Sequence, residues 1–356
     1  MAMISVAALT SGRSDPASRF RVRQHIDPLR DMGIDVREFI PCINKYAKTP
    51  YLPSRLVDGV GKPVWEVWQA VKLATRVPGI AGSWRSRVTW LQRPLLEPYF
   101  TLERALRRPL VLDVDDAIWL MEQCGESHVA AVARRADVVV AGNQFLAEWF
   151  GHYVRDVRVV PTGIDTERFA PRGDAGLRDR AHFIIGWTGS AGNVRYLQDI
   201  EGPISRFLGT YNDARLLVIA DRMPIFHKIS PSKITFVQWA REVEVAAVQE
   251  MDVGLMPLPD AIWSRGKCSF KMLQYMACGV PVIVSPVGMN KEILDLGEVG
   301  IAASMESEWM MALDHLRSLG DRGRSYGLRG RAIVEKWFSR HLIAQRLAEI
   351  LREMAI

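Results

Sequence analysis

Residues 267–285 read KCSFKMLQYMACGVPVIVS and form one structural unit. The stretch predicts a helix over about 269–278, and Gly279 suits the position after a helix because it adopts positive φ at no steric cost. Pro281 prevents the helix from continuing. The apolar run 282–284 then predicts a short strand in the buried interior of a parallel sheet.

Two lysines, Lys267 and Lys271, lie near the start of this predicted helix. The N-terminus of a helix attracts anions through its unpaired N–H groups and its dipole. The lysines therefore indicate a pocket for a phosphate or pyrophosphate. The alternative is a buried helix whose lysines are simply solvated.

The same stretch resembles the donor-binding segment of retaining GT-B glycosyltransferases of the family 4 type, also called glycosyl transferases group 1. Upstream, residues 159–169 read VVPTGIDTERF and resemble the interdomain hinge of that family. The likeness is strong from about Ala136 to Ser304 and weak between Cys42 and Arg108. Together with a matching order of elements, it covers most of the chain.

The length of 356 residues suits two domains. Strands alternate with helices in both halves, which predicts parallel sheets covered on both faces. The resemblance implies an α/β fold of the GT-B class, with two doubly wound Rossmann-like domains facing across a cleft. We expect residues 1–163 to form the acceptor side and 164–336 to bind the donor, with the last helix, about 337–356, packing back on the first domain.

Composition excludes several classes of protein. Hydrophobic residues make up 48% of the chain and charged residues 24%, as in soluble globular proteins. No apolar run reaches the roughly 18 residues that span a bilayer, and residues 1–10 predict a strand rather than a signal peptide. We expect a cytoplasmic protein with free thiols and no metal, because neither Cys nor His shows ligand spacing. The cysteines are Cys42, Cys124, Cys268 and Cys278.

Basic residues concentrate between positions 61 and 108, where there are nine of them and three acids. The difference, +6, equals the formal net charge of the whole chain. Aromatic residues are interleaved with them. This pattern predicts an anionic membrane surface or a lipid-linked acceptor as partner, on the inner face of the plasma membrane. The alternatives are core tryptophans beside solvated arginines, or nucleic acid, which we do not expect. The aromatic residues are Trp65, Trp68, Trp84, Trp90, Tyr99 and Phe100.

Gly12 follows the first predicted strand, where a glycine lets the backbone approach a diphosphate or sugar closely. The matching position in similar proteins is a glycine-rich loop at the donor. Arg19 opens the next helix and is expected on the acceptor or sugar side. A solvated arginine in a first helical turn is the alternative.

Acids end the strand 110–114, where Asp113, Asp115 and Asp116 follow closely on one another. In GT-A glycosyltransferases an Asp-x-Asp motif binds a divalent cation, but the neighbouring motifs here favour GT-B and no metal. We expect Asp115 or Asp116 to orient the acceptor hydroxyl and take its proton, and Asp113 to lie on the acceptor or sugar side. Helix capping is the alternative.

The resemblance implies a donor site in the second half. Residues 186–193 read GWTGSAGN, a strand followed by a turn suited to phosphate contact. Trp239 is expected to stack on the nucleotide base, although a core tryptophan is the alternative. Lys271 is expected to stabilise the leaving diphosphate. The other predicted donor contacts are Gly12, Ser190, Asn193, Arg222, Lys267, Ser269, Phe270 and Gln274.

The chain departs from the family pattern at two acids. Many similar proteins carry Glu-x7-Glu, whose first glutamate binds the donor sugar and whose second binds the ribose. Here Gly266 and Gln274 occupy these positions. Gln274 can still hydrogen-bond to ribose hydroxyls, and Asp260 or backbone amides are candidates to hold the sugar.

The resemblance implies a retaining glycosyltransferase that moves a sugar from a nucleotide-diphosphate sugar to a hydroxyl of a glycan or lipid-linked acceptor. We expect it to act in cell-surface polysaccharide or glycolipid assembly, with no cofactor. The alternatives are a non-catalytic sugar-nucleotide or membrane-binding GT-B protein and a nucleotide-sugar epimerase.

Overall fold

A computed structural model of the chain describes residues 3–48, 61–96, 102–121, 125–173 and 181–356. Cys124, Tyr99 and Phe100, named above, lie outside the described residues. The chain forms two compact units, Met1–Gly163 with Arg340–Ile356, and Ile164–Ser339.

The described residues of the first unit form a six-stranded parallel sheet. Its strands are β1 Ile4–Leu9, β2 Ile34–Phe39, β3 Val88–Gln92, β4 Leu110–Val114, β5 Val138–Ala141 and β6 Val157–Val159, in the order β2-β1-β3-β4-β5-β6. The α-helices between them are α1 Ile26–Asp31, α2 Gly61–Ala74, α3 Val77–Ser83, α4 Glu126–Ala133 and α5 Gln144–Gly151. The chain changes direction across the sheet between β1 and β3, so the carboxyl ends of these strands mark its expected ligand edge.

The described residues of the second unit also form a six-stranded parallel sheet. Its strands are β7 Phe183–Thr188, β8 Ala214–Ala220, β9 Ile234–Gln238, β10 Val253–Met256, β11 Val282–Val284 and β12 Gly300–Ala302, in the order β12-β11-β10-β7-β8-β9. The α-helices are α6 Val194–Asp199, α7 Glu201–Thr210, α8 Glu244–Gln249, α9 Ile262–Arg265, α10 Phe270–Ala277, α11 Met289–Leu294, α12 Glu306–Leu319 and α13 Arg324–Trp337. Here the switch lies between β7 and β10. The predicted fold class, with two doubly wound α/β units, is confirmed.

The last helix, α14 Arg340–Met354, belongs to the first unit. Its apolar face joins the core of that unit through Ile343, Leu347 and Leu351, which are almost fully buried. The sequence predicts the last helix over about 337–356, and the structure gives it the bounds Arg340–Met354.

Two helical segments are divided near prolines. Residues 18–31 consist of a π-helix (Ser18–Val22), a 3₁₀ turn and α1, which carries Pro28 in its first turn. Similarly, α6 ends at Asp199, and Pro203 lies in the first turn of α7, which begins at Glu201. A proline ring clashes with the carbonyl four residues earlier and lacks an N–H, so an uninterrupted helix is excluded at both places.

His25 lies in the 3₁₀ turn and is almost fully buried. Burial, with added repulsion from Arg21 and Arg340, lowers the pKa of His25 to about 3. The imidazole is therefore neutral in the folded protein, whereas in the unfolded chain it takes up a proton below about pH 6.5. His25 stabilises the fold fully above this pH and progressively less as the pH falls from 6.5 towards 3.

We expect the free energy of unfolding to fall between pH 7 and pH 5, with about 2 kcal/mol of the loss due to His25. Over the same pH range, the free energy of unfolding of a His25→Gln variant should fall by about 2 kcal/mol less than that of the wild type. Urea denaturation at the two pH values measures both. The control is His315→Gln, which changes an exposed histidine of α12. Equal losses in the wild type and the His25→Gln variant would contradict the assignment.

Candidate functional site

The carboxyl edge of the first sheet is held by a hydrogen-bonded cluster. The Ser18 hydroxyl donates to Asp15 at 2.6 Å, and the Ser11 hydroxyl donates to Gln92 at 3.1 Å. Backbone N–H of Ser11 donates to the Ser18 hydroxyl oxygen at 3.1 Å. These bonds tie the loop after β1 to the start of the π-helix and to the end of β3. The predicted residue Gly12 lies in this loop, where an added Cβ would approach the Asn44 side-chain nitrogen to 2.6 Å.

Arg93, immediately after β3, is the main residue that sequence reasoning missed. Its guanidinium donates to Asp115 at 2.8 Å, to Asp116 at 2.7 Å and to the Tyr46 hydroxyl at 3.2 Å. The structure thus brings together the two predicted catalytic carboxylates around a single buried cation. Burial alone would lower the pKa of Arg93, but Asp115, Tyr46, Asp116 and Asp15 raise it well above its usual value.

The backbone of Arg93 is unusual as well, with a φ of +61°. A non-glycine residue in this left-handed region costs of the order of 1–3 kcal/mol and persists where its surroundings hold it. Here its N–H donates to the Asp113 carbonyl at 3.0 Å, and its side chain is fixed by the two aspartates. The sequence does carry one signal of this site, because Arg93 directly follows a strand. That this strand lies beside the switch point is a feature of the sheet order.

Asp113, the fourth residue of β4, has its carboxylate engaged inside the unit, and its contact with an acceptor or sugar stays a prediction. Its side chain is fully buried and accepts from Arg21 at 2.8 and 3.2 Å. Burial raises the pKa of Asp113, and Arg21 opposes that rise. Arg21 also donates to the Val160 carbonyl at 2.8 Å, so this pair joins the π-helix to β4 and to the residue after β6. The neighbouring Arg19 is half-buried, with its guanidinium carbon 4.4 Å from the centroid of the Phe20 ring.

In the second unit, Lys271 lies against the turn after β7. A Cβ added to Gly189 would come within 3.0 Å of the Lys271 Cε and 2.5 Å of the Trp187 ring. The Lys271 ammonium is 5.2 Å from the Trp187 ring centroid. Only glycine lets this turn approach the lysine so closely. In the same turn the Asn193 amide donates to the Ser190 hydroxyl at 3.1 Å, so three predicted donor residues lie together.

The other predicted residues of the second unit have contacts of their own or are exposed. The Lys267 ammonium is 4.5 Å from the Trp263 ring centroid. Phe270 is half-buried at the first position of α10, and Arg222 is exposed after β8. Asp260, a candidate to hold the sugar, is exposed and paired with Arg265 at 3.0 Å.

Ser269 has a left-handed backbone, with φ of +50° and ψ of +24°, directly before α10. Its buried hydroxyl donates to Asn290 at 2.7 Å, and the Asn290 amide donates to the Ser285 carbonyl at 3.0 Å. The Ser269 hydroxyl therefore anchors the start of α10, and the predicted contact of Ser269 with the donor stays a prediction.

Glu244, in the first turn of α8, is a second residue that sequence reasoning missed. It is buried, and its carboxylate accepts from Gln274 at 2.9 Å, from Trp239 at 3.2 Å and from Arg168 at 3.1 Å. The amide of Gln274, a residue that is 4% exposed, thus holds Glu244, and its contact with a ribose stays a prediction. Trp239 keeps 41% of its surface exposed, which leaves area for stacking.

Two further properties concern the described residues alone. In this part of the chain no helix combines the length and the apolar character needed to cross a bilayer. Nor do the described residues contain a group of three or more His, Cys, Asp or Glu side chains placed to hold a metal ion. Metal-independent activity stays a prediction. Cys42, Cys268 and Cys278 are free thiols.

The comparison with known proteins agrees with this arrangement. Residues 183–319, which cover most of the second unit, match the family described as Glycosyl transferases group 1. The resemblance drawn from the sequence is confirmed over this segment. No curated protein sequence matches the chain.

Several solved structures have the same fold. Sucrose-phosphate synthase from Thermosynechococcus elongatus is similar with a TM-score of 0.67 and 15% identity over 98% of each chain. The Anabaena protein HepE, solved in complex with UDP, has a TM-score of 0.65 and 15% identity over 99% of this chain and 100% of its own. A UDP-forming trehalose-phosphate synthase from Burkholderia xenovorans has a TM-score of 0.62 and 14% identity over 100% of both chains. Because the identities are only 14–15%, these similarities establish the GT-B fold alone.

The buried ion pair at β4 gives a prediction about stability. Asp113→Asn leaves the Arg21 guanidinium buried without its charge partner, which should lower the free energy of unfolding by about 3–5 kcal/mol. The matched control is Asp27→Asn, because Asp27 pairs with Arg30 on the surface. That change should cost less than about 1 kcal/mol.

Urea denaturation measures both changes. The double variant Arg21→Met/Asp113→Leu removes both charges and should recover part of the loss. A similar small loss for Asp113→Asn and Asp27→Asn would mean that the buried pair does not stabilise this edge.

Proposed function

We propose that this protein is a retaining glycosyltransferase that moves a sugar from a nucleotide-diphosphate sugar to a hydroxyl of a glycan or lipid-linked acceptor. The observation that carries the proposal is the contact between Lys271 and the Gly189 turn, at the carboxyl end of β7. This position lies within the segment that matches glycosyl transferases group 1. Glycan assembly at the cytoplasmic face of a membrane is the setting we propose.

The second unit supplies the chemistry of the leaving group in this proposal. Breaking the bond between sugar and diphosphate leaves negative charge on the diphosphate. A fixed ammonium and fixed backbone N–H groups stabilise that charge as it develops, which lowers the barrier. Lys271 supplies the positive charge and the 189–193 turn supplies polar groups, while Trp239 stacks on the base. The mechanism needs no nucleophile from the enzyme and, as we propose it, no metal.

The first unit binds the acceptor in this proposal. Arg93, Asp115, Asp116 and Tyr46 form a rigid set of donors and acceptors suited to the hydroxyl groups of a sugar. We assign Asp115 and Asp116 to orienting the acceptor hydroxyl. Their role in taking its proton stays a prediction.

The first experiment is a thermal-shift screen of the wild type with UDP, GDP, dTDP, ADP and CMP, with and without Mg²⁺. UDP is tested first because HepE was solved with UDP. We expect one diphosphate to stabilise the protein selectively and without metal, by about 2.7 kcal/mol at a concentration 100 times its Kd.

No shift with any nucleotide would contradict the donor site, and a shift that requires Mg²⁺ would contradict metal independence. Turnover is then measured with sugar derivatives of the stabilising nucleotide and a lipid extract as acceptor. Binding of the nucleotide without release of diphosphate would favour the non-catalytic alternative.

Lys271→Ala tests the phosphate assignment directly. Loss of a charge-assisted hydrogen bond, worth about 1.5–3 kcal/mol, should raise the Kd for the diphosphate roughly 10- to 100-fold. Isothermal titration calorimetry measures the change. The matched control is Lys291→Ala, an exposed helical lysine paired with Asp295. If both variants bind like the wild type, Lys271 does not contact the diphosphate.

A further inference from the structure

The helices α2 and α3 of the first unit carry an apolar face towards solvent. The side chains of Val67 and Trp84 are 64% and 62% exposed, and Val71 and Val77 are also exposed. Smaller exposed residues fill the positions between them at helical spacing, so the apolar surface continues from one helix to the next. We call this surface the α2–α3 face, and it consists of Val67, Ala70, Val71, Ala74, Val77, Pro78, Ala81 and Trp84.

The opposite side of the same helices carries polar and small residues towards the protein. Lys72 is buried and donates to the Lys45 carbonyl at 2.8 Å, and the buried Arg76 donates to the Ile43 carbonyl at 2.7 Å. Burial lowers the pKa of Arg76 to about 10. Two cations that usually face water thus lie inside, while valines lie outside.

The inner side of α3 is formed by glycines. A Cβ added to Gly82 would come within 2.0 Å of the Phe39 ring, and one added to Gly79 within 3.0 Å of Leu9. The close packing of these glycines on β1 and β2 fixes which side of α3 faces outwards. Together, α2 and α3 therefore bury cations and glycines beside the partly buried Trp65, Trp68 and Leu73. They also carry a second apolar stripe towards water, which a water-facing helix usually lacks.

Arginines surround the end of the α2–α3 face at Trp84. The Trp84 indole N–H donates to the Ala105 carbonyl at 2.8 Å, and Arg107 donates to the Trp84 carbonyl at 3.2 Å. Arg85 and Arg87 are exposed beside them. The acid Glu103, counted with this basic region in the sequence, is fully buried and accepts from the Leu95 N–H at 2.9 Å.

We propose that the α2–α3 face lies on an anionic lipid bilayer, with its valines and Trp84 in the acyl boundary and the arginines at the headgroups. The proposal deepens the proposed function, on which it rests for the idea of a lipid-linked acceptor, by assigning the surface that contacts the membrane. Tryptophan beside arginine at one edge of an apolar helix face is suited to the interface of a bilayer. The charge favours lipid over a second copy of this chain, because the arginines at this edge are complementary to anionic headgroups.

Co-sedimentation of the full chain with vesicles tests the proposal. We expect binding to phosphatidylcholine vesicles that contain phosphatidylglycerol, and weaker binding to phosphatidylcholine alone or at high salt. Val67→Glu/Val71→Glu should abolish it. The matched control is Met311→Glu/Leu328→Glu, which places two glutamates at exposed apolar positions on α12 and α13 of the second unit.

Neutralising Arg85 and Arg87 to glutamine should weaken binding to anionic vesicles by about fivefold for each arginine. Absence of binding by the wild type, or equal binding by the wild type and Val67→Glu/Val71→Glu, would overturn the proposal. A third outcome would also overturn it: a wild-type dimer that does not bind vesicles and that Val67→Glu/Val71→Glu dissociates. The α2–α3 face would then bind a second copy of the chain.

The nucleotide thermal shift, measured on the same variants, separates this proposal from the proposed function. Vesicle binding with no nucleotide shift would support the α2–α3 face and contradict the donor site. A nucleotide shift without vesicle binding would support the donor site and contradict the α2–α3 face as a membrane surface.

Discussion

Charges buried in each unit must be matched by partners, because an unpaired charge away from water is strongly destabilising. In the first unit this requirement joins Arg21 to Asp113, and Arg93 to the two aspartates after β4. These pairs determine where the loops at the carboxyl edge lie. In the function we propose, the Arg93 cluster that is fixed in this way is also the group that meets the acceptor.

The same requirement shapes the second unit around Glu244. Its carboxylate accepts hydrogen bonds from Arg168, Trp239 and Gln274, which come from three separate parts of the chain. This network holds Trp239 at the end of β9 with its ring partly exposed. At position 274, where the resemblance implies an acid, the glutamine amide supports the neighbouring acid Glu244.

Buried cations also explain the outward apolar face of α2 and α3. Lys72 and Arg76 find backbone carbonyls as partners in the interior, so they need no acid there. These polar groups and the glycines of α3 take up much of the inner side, and the apolar residues of the α2–α3 face lie outside. The basic, Trp-rich composition of this region predicted a surface partner, but three of its basic residues, Lys72, Arg76 and Arg93, turn out to be buried.

The sequence by itself determined the fold class and many of the elements, because apolar runs and punctuation by glycine and proline act over a few residues. Gly279 has the expected positive φ, at 70°, and β11 has its predicted bounds, Val282–Val284. The sequence by itself did not determine which polar residues are buried. Ser269, Gln274 and Asp113 have partners distant in sequence, and the partners of Arg93 and Glu244 also depend on which strands meet at each sheet edge. The tertiary structure alone decided these partners, since hydrogen bonds and ion pairs act at contact distance in space and leave no local pattern along the chain.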